Sequence, residues 1–155
     1  MYKKILVATD GSNSAKEAYK HALSLAQLTG AEILLVHAAL SPADIYGAAS
    51  PCSIINYNLD FDAIAKETMD STLGVCDAGG VSVKTIIADG KPARAIVQVA
   101  VKENVDLIIM GNHGHGPVSS VFLGSVSLRV IQKAPCPVTI ISERPGISAE
   151  ASISV

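Results

Sequence analysis

The residues whose types and spacing carry the most chemistry lie between Met110 and Ser127. Met110-Gly111-Asn112-His113-Gly114-His115-Gly116 places three glycines within six residues, and Leu123-Gly124-Ser125-Val126-Ser127 follows after a short mixed stretch. A hydrophobic run, Val105-Asp106-Leu107-Ile108-Ile109-Met110, ends abruptly at the first of these glycines. A helical pattern begins at the serines. Strand, glycine loop and helix start together suit an anion. Glycine lets backbone N–H groups approach closely, and a helix N-terminus adds unpaired donors and the positive end of a dipole. The chemistry is phosphate holding, which points to a nucleotide site.

Each residue also has a plainer reading. Gly111, Gly114 or Gly124 alone would be a turn or helix-packing glycine; three in register with serines favour phosphate. Ser125 and Ser127 are natural N-caps for the last helix, a role compatible with phosphate contact. Asp10 either caps the first helix, near Ser12 and Ser14, or presents a carboxylate to a ligand at the end of a central strand, and the second role is favoured. His113 and His115 lack the helical or hairpin spacing that preorganises metal ligands, so they are expected to bond phosphate or the loop itself. His37, inside an apolar strand, reads as a satisfied core histidine, and His21 as a helix-surface residue. Cys136, between two prolines, reads as packing. The Walker pattern Gly-x4-Gly-Lys-Ser/Thr is absent, and near the glycines the only arginine is Arg129. The inventory for phosphoryl transfer is therefore thin. Binding outranks turnover.

The elements that must position these residues alternate. Ile5–Thr9, Ala31–Ala38, Val81–Ala88, Asp106–Met110 and Pro137–Ser142 read as strands. Ala15–Leu28, Leu59–Ala78, Pro92–Glu103 and Ser125–Lys133 read as helices. This order implies one α/β domain, a doubly wound five-stranded parallel sheet with helices on both faces and right-handed crossovers. Its ligand is expected at the carboxyl ends of strands where the winding reverses. If the strand order is 3-2-1-4-5, the first and fourth strands meet there, bringing Thr9-Asp10-Gly11 and Met110-Gly111 to one crevice. Ser41–Asn58, with Pro42, Gly47 and Pro51, is long for a connection and reads as a flap. The domain spans residues 1–144; residues 145–155 form a short polar tail.

Composition agrees with this frame. Apolar residues make up 49% of the 155 residues and aromatic residues only 4%, without Trp, so the core rests on Val, Ile, Leu and Ala. A net charge of −2 gives no electrostatic footprint for nucleic acid. The apolar run after Lys3-Lys4 breaks at Thr9-Asp10, too short for a signal peptide, and no stretch nears a membrane span. Cys52, Cys76 and Cys136 are odd in number and form no C-x-x-C pair, which suits reduced thiols in a cytoplasm.

At these residues the chain resembles the universal stress protein family, specifically its ATP-binding branch with the pattern G-x2-G-x9-G-[ST]. Gly111, Gly114, Gly124 and Ser125 match that pattern without a gap. Ile5-Leu6-Val7-Ala8-Thr9-Asp10-Gly11-Ser12 resembles the family's opening strand and acidic residue. Gly90-Lys91-Pro92-Ala93 resembles its G-x-P turn, and Ala134-Pro135-Cys136-Pro137-Val138 the lead-in to its last strand. The likeness runs from Lys3 to Ser142.

The resemblance implies strand order 3-2-1-4-5, a Rossmann-like fold, a homodimer through the last strand, and bound ATP with Mg2+. It implies backbone hydrogen bonds near Ala38 to the adenine, with Ala8 and Thr9 walling the base. Asp10 would face the ribose or, through water, the metal. Met110 and Gly111 would line the crevice, and Gly111, His113, Gly114, Gly124, Ser125, Val126 and Ser127 would cradle ribose and phosphates, with His115 beside them. Family members often carry Arg or Lys where this chain has His115. A neutral imidazole there makes weaker or pH-dependent triphosphate binding the expectation. The function implied is a cytoplasmic, nucleotide-dependent switch or regulator of a stress response. The alternative is a slow ATP hydrolase or phosphotransferase using the same pocket.

Overall fold

A computed structural model describes residues 1–39, 61–112 and 123–142. Strand β1 (Lys4–Ala8) leads through helix α1 (Asn13–Thr29) to β2 (Glu32–Ala39). Helix α2 (Phe61–Leu73), β3 (Val83–Asp89), α3 (Pro92–Lys102), β4 (Leu107–Gly111), α4 (Ser125–Lys133) and β5 (Val138–Ile141) complete the order. The five strands form one parallel sheet, in the order β3-β2-β1-β4-β5. The winding therefore reverses between β1 and β4, as the alternation and the resemblance anticipate.

Alternation along the central strands assigns the two faces. Ile5, Val7, Ile33, Leu35, Leu107 and Ile109 point to the layer of α1 and α2, where Ala18, Tyr19, Ala22, Leu23 and Met69 meet them. Leu6, Ala8, Leu34, Val36, Ile108 and Met110 point to the layer of α3 and α4, against Ile96, Ala100 and Val130. Burying each large aliphatic side chain is worth about 1.5–3 kcal/mol. Those two layers hold the sheet's carboxyl ends in place.

Helix limits differ from the sequence expectation for local reasons. Helix α1 starts at Asn13 because Ser12 is its N-cap, accepting the Ala15 N–H at 3.3 Å. It stops at Gly30, whose φ of 72° suits a residue without Cβ. Helix α2 ends at Leu73 rather than continuing to Ala78. Gly74 follows, and a turn closed by Val81 N–H on Ala78 O has φ of 57° at Gly79 and 84° at Gly80.

The amino ends of the strands are tied down by charge. Asp106 accepts the backbone N–H groups of Lys3 and Lys4, both at 2.9 Å. These two bonds hold its carboxyl below the usual aspartate range. Glu32 pairs with Lys84 at 2.9 Å and with Lys4 at 3.5 Å. This end is structural. The opposite end carries the candidate site.

Candidate functional site

At the carboxyl end, β1 stops earlier than its neighbour. Ala8 is opposite Val36 on one side and Met110 on the other, whereas β2 continues through His37, Ala38 and Ala39 alongside β3. Hydrogen bonds give the alternation: Glu32 N–H goes to Lys3 O and Thr9 N–H to Val36 O, while Ile33 N–H goes to Ser82 O. Even-numbered residues of β2 thus face β1, and odd-numbered ones face β3. Ala38 must point its N–H and C=O toward the space where β1 has ended.

The next rung of a parallel ladder would join Ala38 N–H to Thr9 O. That rung is not made. The imidazole Nδ1 of His37 lies 2.9 Å from Thr9 O instead. A carbonyl oxygen only accepts, so Nδ1 carries the hydrogen. Neither polar group of the Ala38 backbone has a partner among the described residues.

Thr9 is held from its other side as well. Its hydroxyl lies 2.7 Å from that of Thr72, a fully buried residue of α2. Thr72 donates to Thr68 O at 2.9 Å, so Thr9 donates to Thr72, and Thr9 Oγ1 in turn accepts the Gly11 N–H at 3.0 Å. The Thr9 side chain therefore serves the α2 contact and the Gly11 turn. Asp10 Oδ1 accepts from the Ser12 N–H at 3.0 Å and from the Ser12 hydroxyl at 2.5 Å. Its carboxylate braces the residue that caps α1. The cap itself is supplied by Ser12, with Asp10 supporting it.

Across the crevice, the end of β4 is pinned to the start of α4. Asn112 N–H donates to Ile141 O at 2.9 Å, and Gly124 N–H donates to Asn112 O at 2.7 Å. Gly124, not Ser125 or Ser127, is the N-cap, and no side chain caps the helix. Its N–H is already used on Asn112. The Ser127 hydroxyl is spent on Gly111 O at 3.0 Å, and Ser127 is buried. The first bond of the helix is Leu128 N–H to Gly124 O. The N–H groups of Ser125, Val126 and Ser127 thus have no partner among the described residues. An open helix start of this kind attracts an anion.

The expected site residues therefore divide. Ala8, Thr9, Asp10, Ala38, Met110, Gly111, Gly124, Ser125, Val126 and Ser127 converge on the carboxyl ends of β1, β2 and β4. Ala8 and Met110 are buried with their side chains in the α3–α4 layer. His113, Gly114 and His115 lie outside the described residues, as does the Ser41–Asn58 segment. His37 is satisfied, as read from sequence, but by the Thr9 carbonyl at the crevice. Thr72 and Asn112 were not anticipated. Thr72 lies 63 positions from Thr9, beyond any spacing rule, and Asn112 Oδ1 is buried without a partner among the described residues. Cys76 and Cys136 are free thiols pushed up by burial. Among the described residues no cluster of His, Cys, Asp and Glu could by itself hold a metal ion, and no helix is long and apolar enough to cross a membrane.

Comparison with known proteins agrees with this architecture. A universal stress protein of Thermus aquaticus, from the QAH/OAS sulfhydrylase 3' region, is 39% identical over 142 residues, covering 91% of this chain and 99% of that protein. The universal stress protein UspA from Lactobacillus plantarum superimposes with a TM-score of 0.78 at 27% identity, covering 90% and 97% of the two chains. A universal stress protein solved in complex with cAMP superimposes with a TM-score of 0.64 at 26% identity, covering 92% and 98%. The model of the universal stress protein family matches residues 1–142. This chain belongs to the universal stress protein family.

Proposed function

We propose that this protein binds an adenine nucleotide, ATP with Mg2+, and acts as a nucleotide-dependent switch in a stress response. One observation carries the reading: the Ala38 backbone and the first N–H groups of α4, all without a partner among the described residues, lie at the same end of the sheet. A neighbouring N–H and C=O on one strand edge complement adenine, whose N1 accepts and whose N6 amino group donates. Guanine reverses both positions. Three open N–H groups at a helix start complement phosphate. Base at β2 and phosphates at α4 would span the crevice over β1, with the ribose near Asp10. The cAMP held by the related protein supports an adenine ligand.

Asp10 is a single carboxylate already accepting two hydrogen bonds from Ser12. It suits a hydrated Mg2+ held mainly by phosphate oxygens, because that ion keeps several waters and needs few protein ligands. The ion would offset phosphate charge. Asp10 would orient its water shell and leave the α4 donors to the phosphate oxygens. His113, Gly114 and His115 complete the proposed cradle, as the motif of the ATP-binding branch implies.

Assembly and location follow the same family pattern. A homodimer through β5 would cover an outer edge, and a cytoplasmic setting fits the free thiols Cys76 and Cys136. The test is native mass spectrometry of the purified protein, followed by calorimetric titration with ATP and AMP. A dimer that retains or takes up an adenine nucleotide is expected. Protein that binds neither nucleotide at millimolar concentration overturns the reading.

A further inference from the structure

We infer that His37 is a positioning residue that keeps the adenine-reading edge of β2 open, by occupying the carbonyl that would otherwise close it. The inference rests on the adenine-binding reading above and names a residue which that reading does not use. The β1–β2 ladder is regular from Glu32 N–H on Lys3 O to Thr9 N–H on Val36 O, at 2.9 and 2.8 Å. The sheet register aligns Ala8 with Val36, so the acceptor for Ala38 N–H would be Thr9 O. His37 Nδ1 holds that oxygen at 2.9 Å.

The substitution of one donor for another has a directional consequence. A backbone carbonyl bonded to a backbone N–H would leave Ala38 closed to a base. Bonded to a side chain, the same carbonyl is satisfied, and the Ala38 N–H is left for a ligand. Burying an unsatisfied amide is costly, so this donor gains an acceptor when a purine N1 arrives. Thr72 reinforces the arrangement from α2, because its buried hydroxyl fixes Thr9 and keeps the carbonyl turned to His37. His37 and Thr72 thus hold Thr9 from two directions. Neither needs to touch the nucleotide.

The experiment reads the Ala38 amide directly. In ligand-free wild-type protein this amide should exchange readily with solvent deuterium, and saturating ATP should protect it. His37→Leu removes the donor, so Ala38 N–H should close onto Thr9 O and become protected without ligand. ATP affinity should then fall about fivefold, the effect of one ordinary hydrogen bond, while affinity for inorganic tripolyphosphate stays unchanged. His37→Asn, whose Nδ2 replaces the donor at nearly the same place, should behave as wild type. An Ala38 amide already protected in ligand-free wild type overturns the inference. So does His37→Leu with unaltered exchange and unaltered ATP affinity. Should His37→Leu unfold, the wild-type exchange and the Asn variant still decide. Wild-type protein that binds no adenine nucleotide removes the functional reading, whereas the ligand-free exchange separately shows whether His37 diverts the ladder.

Discussion

Gly111 and Ser14 meet across the contact between β4 and α1 with no room for a side chain. A Cβ on Gly111 would fall on the Ser14 hydroxyl and lie 2.9 Å from the Ala15 backbone nitrogen. The glycine that opens the G-x2-G-x9-G-[ST] pattern is thus required by helix packing. It lets the start of α1 close onto the end of β4.

Gly111→Ala should therefore destabilise the protein before any ligand is involved. The added methyl group must displace the α1 backbone, and overpacking of this kind costs about 1–3 kcal/mol. Urea denaturation without nucleotide would measure it. Wild-type stability in the alanine variant would return Gly111 to a purely ligand-facing role.

Acid should weaken the fold through Asp106. Its folded pKa is lowered by the Lys3 and Lys4 N–H bonds, so the unfolded chain takes up its proton first as pH falls. The stabilisation is complete above the unfolded value, about 3.9 for aspartate, and disappears as pH drops through the folded one. Asp106→Asn should flatten the stability profile below about pH 4. A variant profile parallel to wild type through that range would show that Asp106 contributes no such dependence.

The outer edge of β5, unpaired among the described residues, makes a further point of attack. Ile108 N–H donates to Pro137 O and Asn112 N–H to Ile141 O, so odd-numbered residues of β5 face β4. Val138 and Ile140 turn their N–H groups to the outer edge. If a second copy pairs there, Val138→Pro should give a monomer by sedimentation, with the parallel ladder to β4 retained. A variant that remains dimeric would move the interface elsewhere.

Turnover should be slow. Metal and helix N–H groups can orient ATP without a Walker lysine, but stabilising the transferred phosphoryl group asks for more positive charge. Single-turnover assays with labelled ATP should give rates well below the roughly 1–100 s⁻¹ of kinases. Hydrolysis within seconds, abolished by Asp10→Ala, would make this chain an enzyme.

Fold and site were legible to different degrees. The alternating apolar runs marked the five strands and four helices of the described residues, because a buried parallel sheet writes long apolar segments that local periodicity can read. Gly74 and Gly79-Gly80 shortened α2 in a way the helical pattern concealed. At the site, the glycine and serine spacing pointed to the ends of β1 and β4 but left open which structural role each residue takes. Gly124 caps α4, Ser127 ties down Gly111, and Gly111 packs on α1. The Thr9–Thr72 and His37–Thr9 bonds join residues 63 and 28 positions apart. Only the folded register reveals them.

The most direct measurement of the nucleotide reading is amide hydrogen exchange across the chain, with and without saturating ATP and Mg2+. Protection should rise together at Ala38, where the base would bond, and at Ser125, Val126 and Ser127, where the phosphates would bond. GTP should protect the α4 amides and leave Ala38 exchanging. Exchange at both segments unchanged by saturating ATP would contradict adenine-nucleotide binding in this crevice.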